Sequence, residues 1–260
     1  MKVSMFQVDA FTGEGLHGNR AAVCLLDEWL PDEVLQALAA RHALSETAYL
    51  VPEVGAYDLR WFTPTTEVDL CGHATLASAY VVLAHLEPGR QEVAFKSRSG
   101  TLGVKREGEL YVLDFPTRPS HAVQSGPEIV DAMGLAPQEA RATPRDWLLI
   151  YESEEDVLVL APDMLLLSAF DRPGVIATAP GEHVDFVSRF FAPGLGVPED
   201  PVTGSAHCTL VPYWAERLGK TELHAAQLSA QGGELFCEAR GERVAIGGRV
   251  EPFIEGTVEL

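Results

Sequence analysis

The chain has 260 residues, 47% of them apolar, and its 38 acidic and 19 basic side chains give a formal net charge of −19. This size and apolar content suit one large domain or two ordinary ones with a well-buried core. The acidic balance excludes nucleic acid as a partner, because that role needs clustered Lys and Arg. No charged segment followed by an apolar run opens the chain, so no secretory leader is expected. The longest charge-free apolar stretch, residues 71–86, is shorter than the roughly 20 residues that span a bilayer. The four cysteines (Cys24, Cys71, Cys208 and Cys237) form no CxxC pair, and a reducing cytoplasm is the expected location.

In chain order, Gly18-Asn19-Arg20 reads as a turn before an apolar strand over 21–26. A helix is predicted over 31–42, with proline in its first turn. Ser45-Glu46-Thr47 then leads into a second apolar strand. Residues 57–62 form a strand that Pro64 ends. Residues 72–86 follow as a helix that is apolar all round and therefore buried. Extended segments over 92–105 and 108–115 close the first half. A surface helix near 127–133 opens the second half, followed by a strand over 185–191 and a buried helix over 204–218, which Pro212 should kink. Residues 227–238 and 242–246 are extended, and 257–260 are expected to return as a strand to the first half.

The punctuation repeats. Arg60-Trp61-Phe62-Thr63-Pro64 is echoed by Arg189-Phe190-Phe191-Ala192-Pro193, 129 positions later. Cys71-Gly72-His73-Ala74 is echoed by Thr203-Gly204-Ser205-Ala206 at an offset of 132, and Ser97 to Gly100 by Ser229 to Gly232 at 132 again. Three matches in one order imply a duplicated domain with three extra residues in the second loop. The expected fold is α+β, with two similar halves, each a mostly antiparallel sheet wrapped around one apolar helix. The first half covers 1–115 with 252–260 returning to it, and the second covers 116–251.

A helix start exposes unpaired N–H groups and partial positive charge. Gly72 and Gly204 let a ligand approach that backbone closely, so two such ends could hold one carboxylate or a developing enolate. His73 can bond a substrate or move a proton, and Ser205 stands at the matching place. Asp200 is either a cap for the second helix or a polar group of the site. Glu46, flanked by small and apolar residues, is a candidate for partly desolvated acid–base work and otherwise a solvated glutamate. Asn19 offers its amide to a ligand or only holds a turn. Cys71 could serve as a thiol base at a helix start, but a two-thiol epimerase needs a second cysteine where Thr203 stands. Cys208 reads as core. No metal is expected, because adjacent side chains on a helix diverge and neither Cys71 with His73 nor His207 with Cys208 has ligand spacing. No nucleotide-binding motif is present, so no cofactor is indicated.

Taken together, residues 6–11, Gly18-Asn19, Ser45-Glu46-Thr47-Ala48, Phe62-Thr63-Pro64, 71–75 and 199–206 resemble the PhzF-like family of phenazine-biosynthesis isomerases. The segment 227–233 fits as well, so the resemblance covers essentially the whole chain. It implies the diaminopimelate-epimerase-like fold with the active site between two similar halves, a cofactor-free reaction on a small anionic substrate and a homodimer. The phenazine enzyme moves a proton within trans-2,3-dihydro-3-hydroxyanthranilate by means of a glutamate, and Glu46 matches that residue. His73, Asp200 and Ser205 match its other polar site residues, Gly72 and Gly204 its backbone donors, and Asn19 and Ser45 further substrate contacts. The alternatives left open are a small-molecule binding protein without chemistry and an epimerase based on Cys71.

Overall fold

The structure, a computed structural model, describes residues 2–259; Met1 and Leu260, which bound the predicted halves, lie outside them. The described residues form seventeen strands and six α-helices, so the fold is α+β and mostly strand. The chain divides into two compact units, residues 1–115 with 246–260 and residues 116–245. The return to the first unit begins at Ile246, six residues before the predicted point, because the last strand runs unbroken from Arg243.

The first unit contains β1 (Lys2–Thr12), β2 (Asn19–Leu25), α1 (Asp32–His42), β3 (Glu46–Glu53), β4 (Ala56–Phe62) and β5 (Glu67–Val68). Next come α2 (Gly72–Val81), β6 (Glu92–Ser97), β7 (Gly100–Glu107) and β8 (Leu110–Pro116). Antiparallel pairing joins β1 to β2, β3 to β4, β6 to β7 and β7 to β8, and parallel pairing joins β2 to β3 and β4 to β6. The last strand of the chain pairs with both β1 and β8, so the ladder closes on itself. Against β1, β2 and β3 lies α2. All its residues except Tyr80 are buried, and it carries no charge. It continues as one wider turn, a π-helix over Val82–Leu86, which accounts for the predicted helix limit. Its buried hydroxyls are satisfied internally: Thr75 Oγ1 donates to the Cys71 carbonyl and Ser78 Oγ to that of Ala74.

The second unit contains β9 (His121–Ala122), α3 (Pro127–Met133), β10 (Glu139–Ala142), β11 (Asp146–Ile150), α4 (Glu154–Val159), α5 (Met164–Ser168) and β12 (Gly174–Pro180). These are followed by β13 (Phe186–Ala192), β14 (Val197–Asp200), α6 (Gly204–Leu218), β15 (Glu222–Gln227), β16 (Gly233–Arg240) and the start of β17 (Arg243–Glu259). Its parallel pairs are β11 with β12 and β13 with β15. The extended reading over 227–238 is corrected: β15 ends at Gln227, and a turn precedes β16. The first two turns of α6 are buried as predicted except at half-buried Ser205, whereas Glu216, Arg217 and Leu218 are exposed.

Pro212 sits inside α6, and the helix runs through it. Proline has no N–H for the carbonyl four residues back. That carbonyl, on Cys208, accepts the Arg118 backbone N–H at 2.8 Å instead. The outside partner removes the cost of a buried orphan acceptor.

Gly18 sets the entry to β2. Its φ is +69°, and a Cβ there would lie 2.3 Å from the Ala10 carbonyl oxygen. Only glycine fits such a position without strain. Gly18→Ala is expected to lower stability by about 1–3 kcal/mol, read as a reduced midpoint in chemical denaturation at an unchanged slope.

Candidate active site

In the first unit four sequence-predicted side chains converge. Asn19, the first residue of β2, is 1% exposed and donates its Nδ2–H to His73 Nδ1 at 3.1 Å. The adjacent Arg20 grips Asp9 of β1 through two 2.7 Å bonds and lies 3.3 Å over the Phe253 ring, which fixes the strand end that carries Asn19. Glu46 is the first residue of β3, paired with Ala21 of β2. It does not end a helix: α1 stops at His42, and Ala43 caps it in the left-handed conformation. Ser45 is half-buried in the bend just before Glu46.

His73 is the second residue of α2, and its Nε2 lies 3.2 Å from Glu46 Oε2. The Glu46 side chain keeps 15% of its surface exposed against 4% for His73, and the Oε2 atom that faces His73 is itself buried. Burial pushes the His73 pKa down to about 3, and the ring is neutral at ordinary pH. A neutral imidazole carries one N–H. Because the Asn19 amide donates to Nδ1, the proton sits on Nε2, facing Glu46. Neither the tautomer nor the distance is visible in the sequence, where the three residues are far apart.

Cys71 is the N-cap of α2 and is buried. Its Sγ lies 3.5 Å from His73 Nδ1. The predicted divergence of Cys71 and His73 is corrected here. Cys71 precedes the helix in an extended conformation (φ −141°, ψ 117°), so helical spacing does not apply, and its side chain folds back over the first turn. Gly72 opens the helix and is buried.

In the second unit Gly204 and Ser205 open α6; Gly204 is buried and Ser205 half-buried. Asp200 ends β14, opposite Phe190 of β13, so the extra loop contains a short strand. Asp200 Oδ2 accepts the Thr203 hydroxyl at 2.6 Å, while the neighbouring Glu199 is held by both Nε and Nη2 of Arg189. Sequence reasoning missed Gln227. Its Nε2 donates to the Asp200 carbonyl and to Thr203 Oγ1, and its Oε1 accepts the Thr203 N–H. The only sequence signal is a glutamine closing an otherwise alternating strand. Cys208 is core, and burial pushes its thiol up to about 11.

His207 lies in the first turns of α6 with no exposed surface. Its Nδ1–H donates to the Thr203 carbonyl at 2.9 Å, and burial pushes its pKa down to about 4. A histidine whose folded pKa lies below its unfolded value of about 6.5 binds fewer protons folded than unfolded between those two values. Its contribution is therefore complete above about pH 6.5 and lost as pH falls toward 4, by roughly 3 kcal/mol. His207→Asn retains a donor for Thr203 without the titration. The variant should lose correspondingly less stability between pH 7.5 and 4.5 in urea unfolding, and an unchanged loss would remove His207 as the cause.

The PhzC-PhzF family model, described as phenazine biosynthesis-like protein, matches residues 8–256. Two uncharacterized isomerases of Pseudomonas aeruginosa are 50% and 48% identical to this chain, each over 100% of both sequences. A crystal structure of a phenazine biosynthesis protein of the PhzF family from Enterococcus faecalis superposes with a TM-score of 0.96 at 46% identity, covering 100% of both chains. No helix of the described residues is long and apolar enough to cross a membrane.

Proposed function

The chain belongs to the PhzC-PhzF family of phenazine biosynthesis-like proteins and is an isomerase; on that premise we propose that it moves a proton within a small carboxylate-bearing molecule, using Glu46 as general acid and base and no cofactor. The observation that carries this reading is the contact between Glu46 Oε2 and His73 Nε2, with His73 oriented from its other nitrogen by Asn19. The Glu46 carboxylate takes a proton from carbon. The electron pair left behind spreads through the conjugated system toward the substrate carboxylate. Glu46, now the acid, returns the proton at a second carbon of the same system, so atoms and charge balance without an oxidant or a second reactant. Neutral His73, with Nε2 3.2 Å from the Glu46 carboxylate, flanks the base, and N–H groups at the Gly72 helix start stabilise developing negative charge.

A trans-2,3-dihydro-3-hydroxyanthranilate-like diene acid is a substrate of the required chemistry. Asp200 and Ser205 are assigned to orienting the substrate, with Ser45 and Gly204 as further contacts, on the family resemblance. A homodimer is proposed on the same ground, and light scattering in solution tests it.

We also read the two units as copies of one plan. Arg60 grips Glu67 across the β4–β5 hairpin as Arg189 grips Glu199 across β13–β14. Thr75 and His207, 132 positions apart, both bond back to the carbonyl of the residue before their helix.

Deuterium uptake into a panel of small cyclic and amino acids, followed by mass in D₂O, identifies the substrate class. General acid–base help is worth roughly 10² to 10⁴ in rate. Glu46→Gln should therefore lose exchange by that factor and keep ligand affinity, and Asp200→Asn or Ser205→Ala should lower turnover less. Full activity of Glu46→Gln would falsify the assignment. The 3.5 Å approach of Cys71 to His73 favours a thiol-based epimerase as the second reading. Only that reading requires Cys71→Ala to be inactive. Ligand binding without any exchange would leave a binding protein.

A further inference from the structure

Ligand-type atoms of Glu46, Cys71 and His73 all lie within 4.8 Å of one another. The set is one carboxylate, one thiol and one imidazole, which is the donor mixture preferred by borderline-soft divalent cations such as Zn²⁺ and Cd²⁺ and not by Mg²⁺. We propose that these three side chains form a binding site for a thiophilic divalent cation, which acts as an inhibitor of the isomerase and not as its cofactor.

The geometry is close to that of a bound ion. With ordinary bond lengths, a tetrahedral zinc ion holds its nitrogen and oxygen ligands about 3.3 Å apart, and His73 Nε2 and Glu46 Oε2 are 3.2 Å apart. Cys71 Sγ, 3.5 Å from Nδ1 of the same ring, has to turn from that nitrogen toward Nε2 for all three ligands to meet at one ion. The fourth position stays open for water, as in sites with three protein ligands. When the ion takes Nε2, the ring proton moves to Nδ1. Asn19, 3.1 Å from that nitrogen, accepts it after a half-turn of its amide, so that the second ring nitrogen of the ligand histidine is hydrogen-bonded as metal-bound histidines usually are. The thiol proton leaves to solvent. The other cysteines, Cys24, Cys208 and Cys237, belong to no such group. Among the described residues no other group of this kind occurs.

Inhibition rests on the reading that Glu46 moves the proton, because an ion on its carboxylate removes the base; binding itself does not depend on it. Titration of the full chain with CdCl₂ should give one ion per chain and a sulfur-to-cadmium charge-transfer band in the ultraviolet. Cys71→Ser should abolish the band and weaken retention of Zn²⁺ in equilibrium dialysis by about tenfold or more, while MgCl₂ should not compete. X-ray absorption of the Zn²⁺-loaded wild-type chain needs no variant and should show one sulfur at about 2.3 Å with nitrogen and oxygen neighbours at about 2.0–2.2 Å. An absent band, retention unchanged in Cys71→Ser, or a shell of nitrogen and oxygen alone would overturn the site. Tight binding without loss of deuterium exchange would retain the site and overturn the inhibitory role and the Glu46 assignment together.

Discussion

The first turn of a buried helix is the constraint on which both clusters depend. Its leading N–H groups lack intrahelical partners, and burying them unpaired is costly. In α2 the carbonyl just before the helix takes the Thr75 hydroxyl, and in α6 it takes the His207 ring N–H. These bonds fix the cap residue's backbone and so aim the N–H groups of Gly72 and Gly204. Cys71 and Thr203 make no side-chain cap bond to their own helices, which leaves their side chains to Cys71's approach to His73 and to Thr203's bond with Asp200.

From that fixed first turn the first unit builds a directional relay. Asn19 donates to Nδ1 of His73, which leaves the ring proton on Nε2 beside Glu46. Reversing any member reverses the rest, because a neutral imidazole has one donor and one acceptor. The relay stays in one state because burial denies His73 a second proton. Strand pairing supplies the distances: β2 and β3 run parallel with Ala21 opposite Glu46, so Asn19 and Glu46 rise from neighbouring strand ends toward the same helix start.

Much of this was legible in the sequence, for definite reasons. An uncharged stretch apolar on every side can only be a buried helix, and that located α2 and the first two turns of α6. Repeated spacing pointed to Gly72 and Gly204, and each opens a helix. Local pattern could not show that Glu46 starts a strand, because Ala43 ends α1 in a left-handed conformation that sequence does not advertise in alanine. Nor could it place Cys71 against His73, which depends on one extended residue ahead of the helix. Gln227 and Arg118 were invisible for a different reason: each acts through a bond to a residue distant in the chain, and no periodicity records such a bond.

Pro212 sets the limits within which the second unit can be studied alone. The Cys208 carbonyl it leaves free is taken by Arg118, and the neighbouring Thr117 bonds through both its N–H and its hydroxyl to the Glu242 carbonyl at the threshold of β17. Residues 117 and 118 therefore belong to the fold of this unit although they form no helix or strand. A fragment trimmed back to β9 would leave a carbonyl exposed inside α6 and the end of the unit unanchored, whereas one begun at Pro116 would keep both ties.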